Sequence, residues 1–202
     1  PLVRRPRLRL RFAAFAGAQP PDRVLDVATG PGFNAFAVAR RAAPVVGVDA
    51  APELLELARR EAARRGLPNL SFREGDPASL RFADHSFDLV IISRSVPSGD
   101  YQDPPETAAW NGIKAPTMIL GGYIIRANRL GLMTGSTIPD TGSVAAAGGP
   151  VGLTVSTPSH PIFKGVALDA ANTMVNLFAD VVTYNGTAQR GISVVTDPVA
   201  GG

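Results

Sequence analysis

The chain has 202 residues, of which 45% are hydrophobic and 18% charged, with a net charge of +3 and no cysteine. That is enough apolar material for one full α/β core or two small ones, and it excludes disulfide scaffolds and cysteine nucleophiles. No apolar run approaches the roughly 20 residues of a membrane span, and arginine interrupts residues 1–12 too often for a signal peptide.

The first distinctive stretch is basic, Arg4-Arg5-Pro-Arg7-Leu-Arg9-Leu-Arg11-Phe12. Alternating Arg and Leu suits an arm for nucleic acid or an acidic membrane, or a solvated flank whose Leu8, Phe12 and Phe15 cover the domain. No aromatic interleaving for base stacking accompanies it, so the flank is the expected reading.

Next comes Arg23-Val-Leu-Asp-Val-Ala-Thr-Gly-Pro-Gly32, followed by Val45-Val-Gly-Val-Asp49. Val24 and Leu25 predict a short buried strand. Gly30 and Gly32 permit a tight turn, and Phe33 to Arg41 a helix whose first N–H groups face a ligand. Asp49 closes the following apolar run, where a carboxylate accepts hydrogen bonds from both hydroxyls of a ribose. Gly30-Pro-Gly32-Phe-Asn-Ala35 also satisfies the loose G-x-G-x-x-A dinucleotide fingerprint. Asp26 separates the two cofactor classes. A carboxylate at the strand end would repel a pyrophosphate, whereas the ammonium and sulfonium of S-adenosylmethionine would be attracted.

Residues from about 10 to 93 resemble the front half of a class I S-adenosylmethionine-dependent methyltransferase. Asp26 to Gly32 is similar to that family's glycine-rich first motif, with Ala28 where the family most often has its first glycine. Asp49 resembles its ribose-binding acid. Glu74-Gly75-Asp76, after a strand from Leu70 to Arg73, resembles the adenine-contacting segment, and Phe87-Asp88-Leu-Val-Ile the fourth motif. The resemblance implies that Asp26, Ala28, Gly30, Gly32, Asp49 and Asp76 bind the cofactor. It assigns no catalytic base.

Each residue also has a plainer reading. The glycines form turns, Asp49 is an acid at a helix start near Pro52, Asp76 caps a short helix, and Asp88 is a solvated strand-edge charge.

Composition changes after Ser93. Residues 1–95 hold 15 Arg, no Lys and 10 acids, a net of +5, whereas residues 96–202 hold 3 Arg, 2 Lys and 7 acids, a net of −2. The expected organisation is therefore 1–93, a Rossmann-like cofactor-binding half, and 94–202, an α/β to β-rich segment of different origin that could complete the same sheet. The family's later Leu-x-Pro-Gly-Gly turn is missing. Residues from about 90 to 190 faintly resemble glutamine-amidotransferase-like α/β domains of secreted bacterial proteins, without the cysteine that chemistry needs. These features, the start at Pro1 and the end at Gly202 suggest a chimera or joined fragments.

A helix is predicted over Pro105 to Gly112 and a strand over Pro116 to Leu120. Together they complete a mostly parallel, doubly wound sheet of about five strands. Short β runs follow at Gly152 to Ser156, Val181 to Tyr184 and Gly191 to Val195, with a small-residue loop from Gly142 to Gly149. Trp110 is expected to anchor the short helix. Tyr101, Tyr123 and Arg126 are candidates to line a cleft at the strand ends. His85 and His160 lack metal-ligand spacing, so no metal site is predicted.

The expected function is methyl transfer to a small-molecule acceptor. No Asn-Pro-Pro-Tyr-like segment follows the fourth strand, which disfavours base amino groups of nucleic acid as acceptors. The alternative is a non-catalytic chimeric or truncated scaffold that keeps part of the cofactor site; a nicotinamide-dependent oxidoreductase is a third reading, opposed by Asp26. The first half suggests cytoplasm. Oligomeric state is not legible.

Overall fold

The computed structural model describes residues 12, 14, 16–41, 44–94, 96–132, 136, 153–155, 157–159, 166–174, 182–184 and 187–189. Contacts divide the chain into two compact units, Pro1–Leu132 and Met133–Gly202.

The first unit runs β1 (Val24–Val27), α1 (Phe33–Val38), β2 (Val45–Asp49), α2 (Pro52–Arg65), β3 (Leu70–Glu74), β4 (Leu89–Ile92), α3 (Pro104–Asn111) and β5 (Thr117–Ile119). All five strands are parallel, in the order β3-β2-β1-β4-β5. This is the predicted Rossmann-like sheet, and β5 joins it from beyond the compositional seam. The chain progresses outward from β1 to β3, then returns to the other side of β1 as β4. A ligand crevice is expected above the carboxyl ends of β1 and β4, where that reversal occurs.

Strand alternation sorts the core into two layers. Val24, Val45, Leu89 and Ile91 point to the face covered by α1 and α2. Leu25, Val46, Val90 and Ile92 point to the other face, against Tyr101, Trp110 and Ile124. Central parallel strands are covered on both faces, which is why β1 and β4 are buried at every position.

Local chemistry sets the helix ends. Proline occupies the first turn of α2, and Gly66, at φ 61°, closes its far end with its N–H directed to Ala62 and Ala63 carbonyls. Helix α1 stops at Val38, short of the expected Arg41, because the chain turns there with the Arg41 N–H bonded to the Val38 carbonyl.

In the second unit, β6 (Leu153–Thr154) pairs antiparallel with β7 (Thr173–Met174), and β8 (Val182–Tyr184) with β9 (Thr187–Gln189). These pairs form two separate two-stranded sheets. The expected run at Gly191 to Val195 and the loop at Gly142 to Gly149 lie outside the described residues.

Gly47, inside β2, is a packing requirement. A Cβ there would meet Phe72 ring carbons at 2.7 and 2.8 Å and Thr29 Cγ2 at 2.9 Å. Overpacking of this kind costs about 1–3 kcal/mol. Gly47→Ala should therefore lower stability by that amount in urea unfolding, whereas Gly99→Ala, with nothing within 4 Å of the new methyl, should shift it by less than about 0.5 kcal/mol. Equal stability of the two variants would refute this account.

Candidate cofactor site

Asp26 is the third residue of β1, one short of the strand end, and is fully buried. Its Oδ2 accepts hydrogen bonds from Thr29 Oγ1 at 2.6 Å and from the Ala35 backbone N–H at 3.1 Å. Its Oδ1 accepts one from Ser93 Oγ at 3.0 Å, and Ser93 Oγ in turn accepts from Asn34 Nδ2 at 2.8 Å. One carboxylate thus ties together the glycine turn, the start of α1 and the carboxyl end of β4. It stands behind the turn, and any influence on a ligand cation passes through backbone or through space. The Ala35 N–H, expected to face a ligand, is committed to this acid.

The turn itself uses three left-handed residues. Ala28, Gly30 and Gly32 have φ of 54°, 54° and 84°. A left-handed alanine costs roughly 1–2 kcal/mol, and at Ala28 it is held by the flanking Asp26–Thr29 bond and by the Thr29 N–H donating to the Val48 carbonyl at 2.9 Å. The two glycines do different work. A Cβ on Gly32 would strike the rings of Phe36 and Phe72 at 2.9 and 3.0 Å, whereas one on Gly30 would enter open space. Gly32 lets the core close beneath the turn, and Gly30 keeps the space above it clear.

Asp49 ends β2, half-buried, at the same edge. Its Oδ2 accepts the Gly30 N–H at 2.7 Å and its Oδ1 the Ala51 N–H at 2.9 Å. It therefore does what its plainer reading predicted, supporting the start of α2, and it also fastens the glycine turn. A carboxylate offers about four acceptor positions, so two remain for hydroxyl donors.

Asp76 is exposed, and its Oδ1 accepts the Ala78 N–H at 2.8 Å within a turn; no helix follows it, so the short helix that its plainer reading would have it cap is not formed. It lines a pocket of about 510 Å³ with Val48, Gly75, Ser79, Leu80 and Phe82. The pocket adjoins the ends of β2 and β3, next to Asp49.

Several candidates lie elsewhere. Asp88 precedes β4, at the opposite edge of the sheet, where it is ion-paired with Arg23 at 3.0 Å; this matches its reading as a strand-edge charge. Tyr101 does not line a cleft. It is fully buried, its ring lies 5.5 Å from that of Trp110 at a 44° tilt, and its hydroxyl donates to the Pro77 carbonyl at 3.2 Å. Burial, then the charges of Asp100 and Asp76, push its phenol well above the usual range. Trp110 anchors α3 as expected, with Nε1 donating to the Ala78 carbonyl at 3.2 Å. Tyr123 is exposed, with the Arg126 guanidinium 5.5 Å over its ring. His85 is exposed, His160 lies outside the described residues, and among the described residues no cluster suited to a metal ion occurs.

Sequence reasoning missed Thr29, Asn34 and Ser93. Ser93 carried a readable signal, as the first polar residue after a four-residue apolar strand, level with the glycine turn. Asn34 carried none, because its partner is 59 residues away.

Residues 24–109 match the Methyltransferase domain family. The match agrees with the resemblance of this segment to class I S-adenosylmethionine-dependent methyltransferases. It runs past the compositional seam and through most of α3. Among curated relatives, demethylmenaquinone methyltransferase of Thermus thermophilus is 45% identical over 43% of this chain and 40% of its own length. Arsenite methyltransferase of Halobacterium salinarum is 40% identical over 39% of this chain and 21% of its own length. A 23S rRNA (uracil(1939)-C(5))-methyltransferase of Klebsiella pneumoniae is 44% identical over 37% of the chain and 18% of its own length. The chain thus spans two fifths or less of these relatives. Among solved structures, the YcgJ protein of Bacillus subtilis superposes with a TM-score of 0.50 at 25% identity, covering 58% of this chain and 51% of that one. Among the described residues no helix is long and apolar enough to cross a membrane.

Burial pushes the Asp26 carboxyl up to about 6, while hydrogen bonds from Thr29, Ser93, Ala35 and Asn34 pull it down. An unfolded aspartate titrates near 3.9, so the folded chain binds this proton more tightly than the unfolded one. The resulting stability is complete below about pH 4 and is lost as pH rises through about 6. Glu61 works in the opposite sense at lower pH: Arg64 and Arg65 hold it at about 2, and its contribution disappears as pH falls through that value. The wild type should therefore lose stability between pH 4.5 and 7.5 relative to Asp26→Asn, which lacks the titrating group. Parallel urea-unfolding curves for the two chains across that range would sink this assignment.

Proposed function

We propose that residues 24–109 bind S-adenosylmethionine at the carboxyl ends of β1, β2 and β4 and transfer its methyl group to a small-molecule acceptor. The observation that carries the cofactor reading is the half-buried Asp49 carboxylate. It ends β2, the strand beside β1, at the carboxyl edge of the sheet and next to the open space over Gly30, with two acceptor positions left for a ribose diol. The residues fit the group. Asp49 takes the ribose, Gly30 admits the backbone-side approach, and the neighbouring pocket lined by Val48, Asp76 and Leu80 takes the adenine. Asp26 orients the turn from behind, and Ala28 and Gly32 give it its left-handed course. Bound there, S-adenosylmethionine supplies a methyl group on a positively charged sulfur, open to direct displacement. The chain's contribution is alignment and exclusion of water.

A dinucleotide fits less well. Its pyrophosphate needs unspent N–H groups at the start of α1, and the Ala35 N–H is already given to Asp26. For the acceptor, support comes from the relatives and from the sequence after β4. Two of the relatives above act, by name, on demethylmenaquinone and on arsenite, and a third on 23S rRNA. The small-molecule reading also rests on the absence of an Asn-Pro-Pro-Tyr-like segment at Ser93–Pro97.

A second reading is favoured by one observation: the family match ends at residue 109 and the relatives are far longer than the matched segment. On that reading the domain keeps its cofactor site but has no acceptor pocket.

Calorimetric titration with S-adenosylhomocysteine tests both. The folded chain should bind it at micromolar concentration, and Asp49→Ala should weaken binding at least about tenfold, since each charge-assisted bond contributes about 1.5–3 kcal/mol. NAD should give no heat. Binding without methyl transfer to any phenol, thiol or amine supplied would favour the second reading, and a folded chain that fails to bind would end the first.

A further inference from the structure

A cleft of about 800 Å³ in the first unit lies away from the cofactor edge. It opens at the other end of the strands, where Arg23, Asp88 and Pro116 precede β1, β4 and β5. Between β3 and β4 the chain crosses this face as a loop with no helix, and at the cleft the sheet is flanked by that loop and by the eight-residue α3 with the residues that follow it. The volume falls within the range of small-molecule sites.

Its walls are mainly apolar and aromatic. Leu25 and Val90 form the sheet side, Phe82 and Phe87 meet edge-to-face at 4.9 Å, and Trp110 closes the α3 side. The indole N–H is already bonded to the Ala78 carbonyl. At the rim, Arg23 is paired with Asp88, and Lys114 faces two acids, Asp84 and Glu106, so the lining keeps one negative charge in excess, which disfavours anions and suits a neutral hydrogen-bond donor. One lining group is unsatisfied: Glu106 Oε2 is buried with no hydrogen-bond partner. A buried acceptor without a donor is costly, and a small turn of this side chain toward the cleft would bring it a ligand O–H.

The cleft also shares a wall with the pocket assigned to adenine. Ser79, Leu80 and Phe82 line both. On the adenine side the Arg73 guanidinium lies 5.7 Å from the Phe82 ring centroid; on the cleft side the same ring packs against Phe87.

We propose that this cleft is a second binding site, for an uncharged ring molecule bearing one hydroxyl donor, and that its occupancy alters cofactor affinity through the shared Ser79–Phe82 wall. The ring fills the space between Phe87 and Trp110, and the hydroxyl donates to Glu106. Linkage makes the coupling reciprocal. This coupling rests on the cofactor reading above, whereas the site itself does not.

Trp110 is the only tryptophan in the chain, so its fluorescence reports the cleft directly. Titration with 2-naphthol should quench it saturably, at least about fivefold more tightly than naphthalene does. Glu106→Leu should erase that preference. Ala109→Phe, at an exposed α3 position lining the cleft, should abolish saturation without unfolding the chain. Saturating 2-naphthol should change the dissociation constant of S-adenosylhomocysteine at least about threefold. Linear quenching, quenching indifferent to Ala109→Phe, or one-for-one displacement of 2-naphthol by S-adenosylhomocysteine would overturn the site. Naphthol binding with an unchanged cofactor constant would overturn the coupling. If S-adenosylhomocysteine fails to bind at all, the cofactor reading falls, and the naphthol titration alone decides the site.

Discussion

The hydrogen bonds gathered by the Asp26 carboxylate are the constraint on which the upper edge of the sheet depends. A buried carboxylate is tolerated only when its acceptor positions are filled, and here the donors come from three separate elements: Thr29 in the turn, Ala35 at the start of α1 and Ser93 after β4. Satisfying one acid therefore brings β1, α1 and β4 into a single arrangement. The left-handed alanine at position 28 and the two left-handed glycines are tolerable because both ends of the turn are held. Asp49 adds a second clamp from β2 through the Gly30 N–H. The same low dielectric that strengthens these bonds raises the acid's own pKa, so the network that builds the edge is also sensitive to its protonation.

The two faces of the sheet are finished unequally. On one, α1 and α2 close over Val24, Val45 and Leu89, with Phe36 and Phe72 meeting edge-to-face at 6.1 Å above Gly32 and Gly47. On the other, a loop, one short helix and the turn carrying Ile124 share the covering, with Tyr101 and Trp110 bonded to successive carbonyls at Pro77 and Ala78. Two aromatic side chains pinned to a loop cover less area than a full helix. The large cleft on that face follows from this difference.

Several arginines of the first half are engaged locally among the described residues. Arg23 joins the starts of β1 and β4 by pairing with Asp88, Arg59 donates to the Phe72 carbonyl, and Arg64 and Arg65 bracket Glu61 along α2. Arg65 also lies 4.6 Å from the Phe36 ring centroid. Exposed pairs such as these contribute little energy individually. Their effect is to occupy the cations locally, leaving the domain's surface without an unpartnered basic stripe along α2.

Local chemistry was readable without coordinates. Apolar runs ending at Asp49 and Ser93, glycines at 30 and 32, and the helical stretch after Pro52 determined the parallel α/β sheet, the position of its glycine turn and the place of Asp49 at its edge, because strand alternation, left-handed backbone and helix starts depend on neighbours a few residues apart. The tertiary structure alone decided how those residues are used. It buried Asp26 behind the turn, assigned Gly32 to packing and Gly30 to open space, removed Tyr101 from the surface, and brought Ser93 to Asn34 and Asp26. Each outcome depends on partners up to 67 residues apart, whose proximity comes from the order in which parallel strands pair and leaves no periodic trace along the chain.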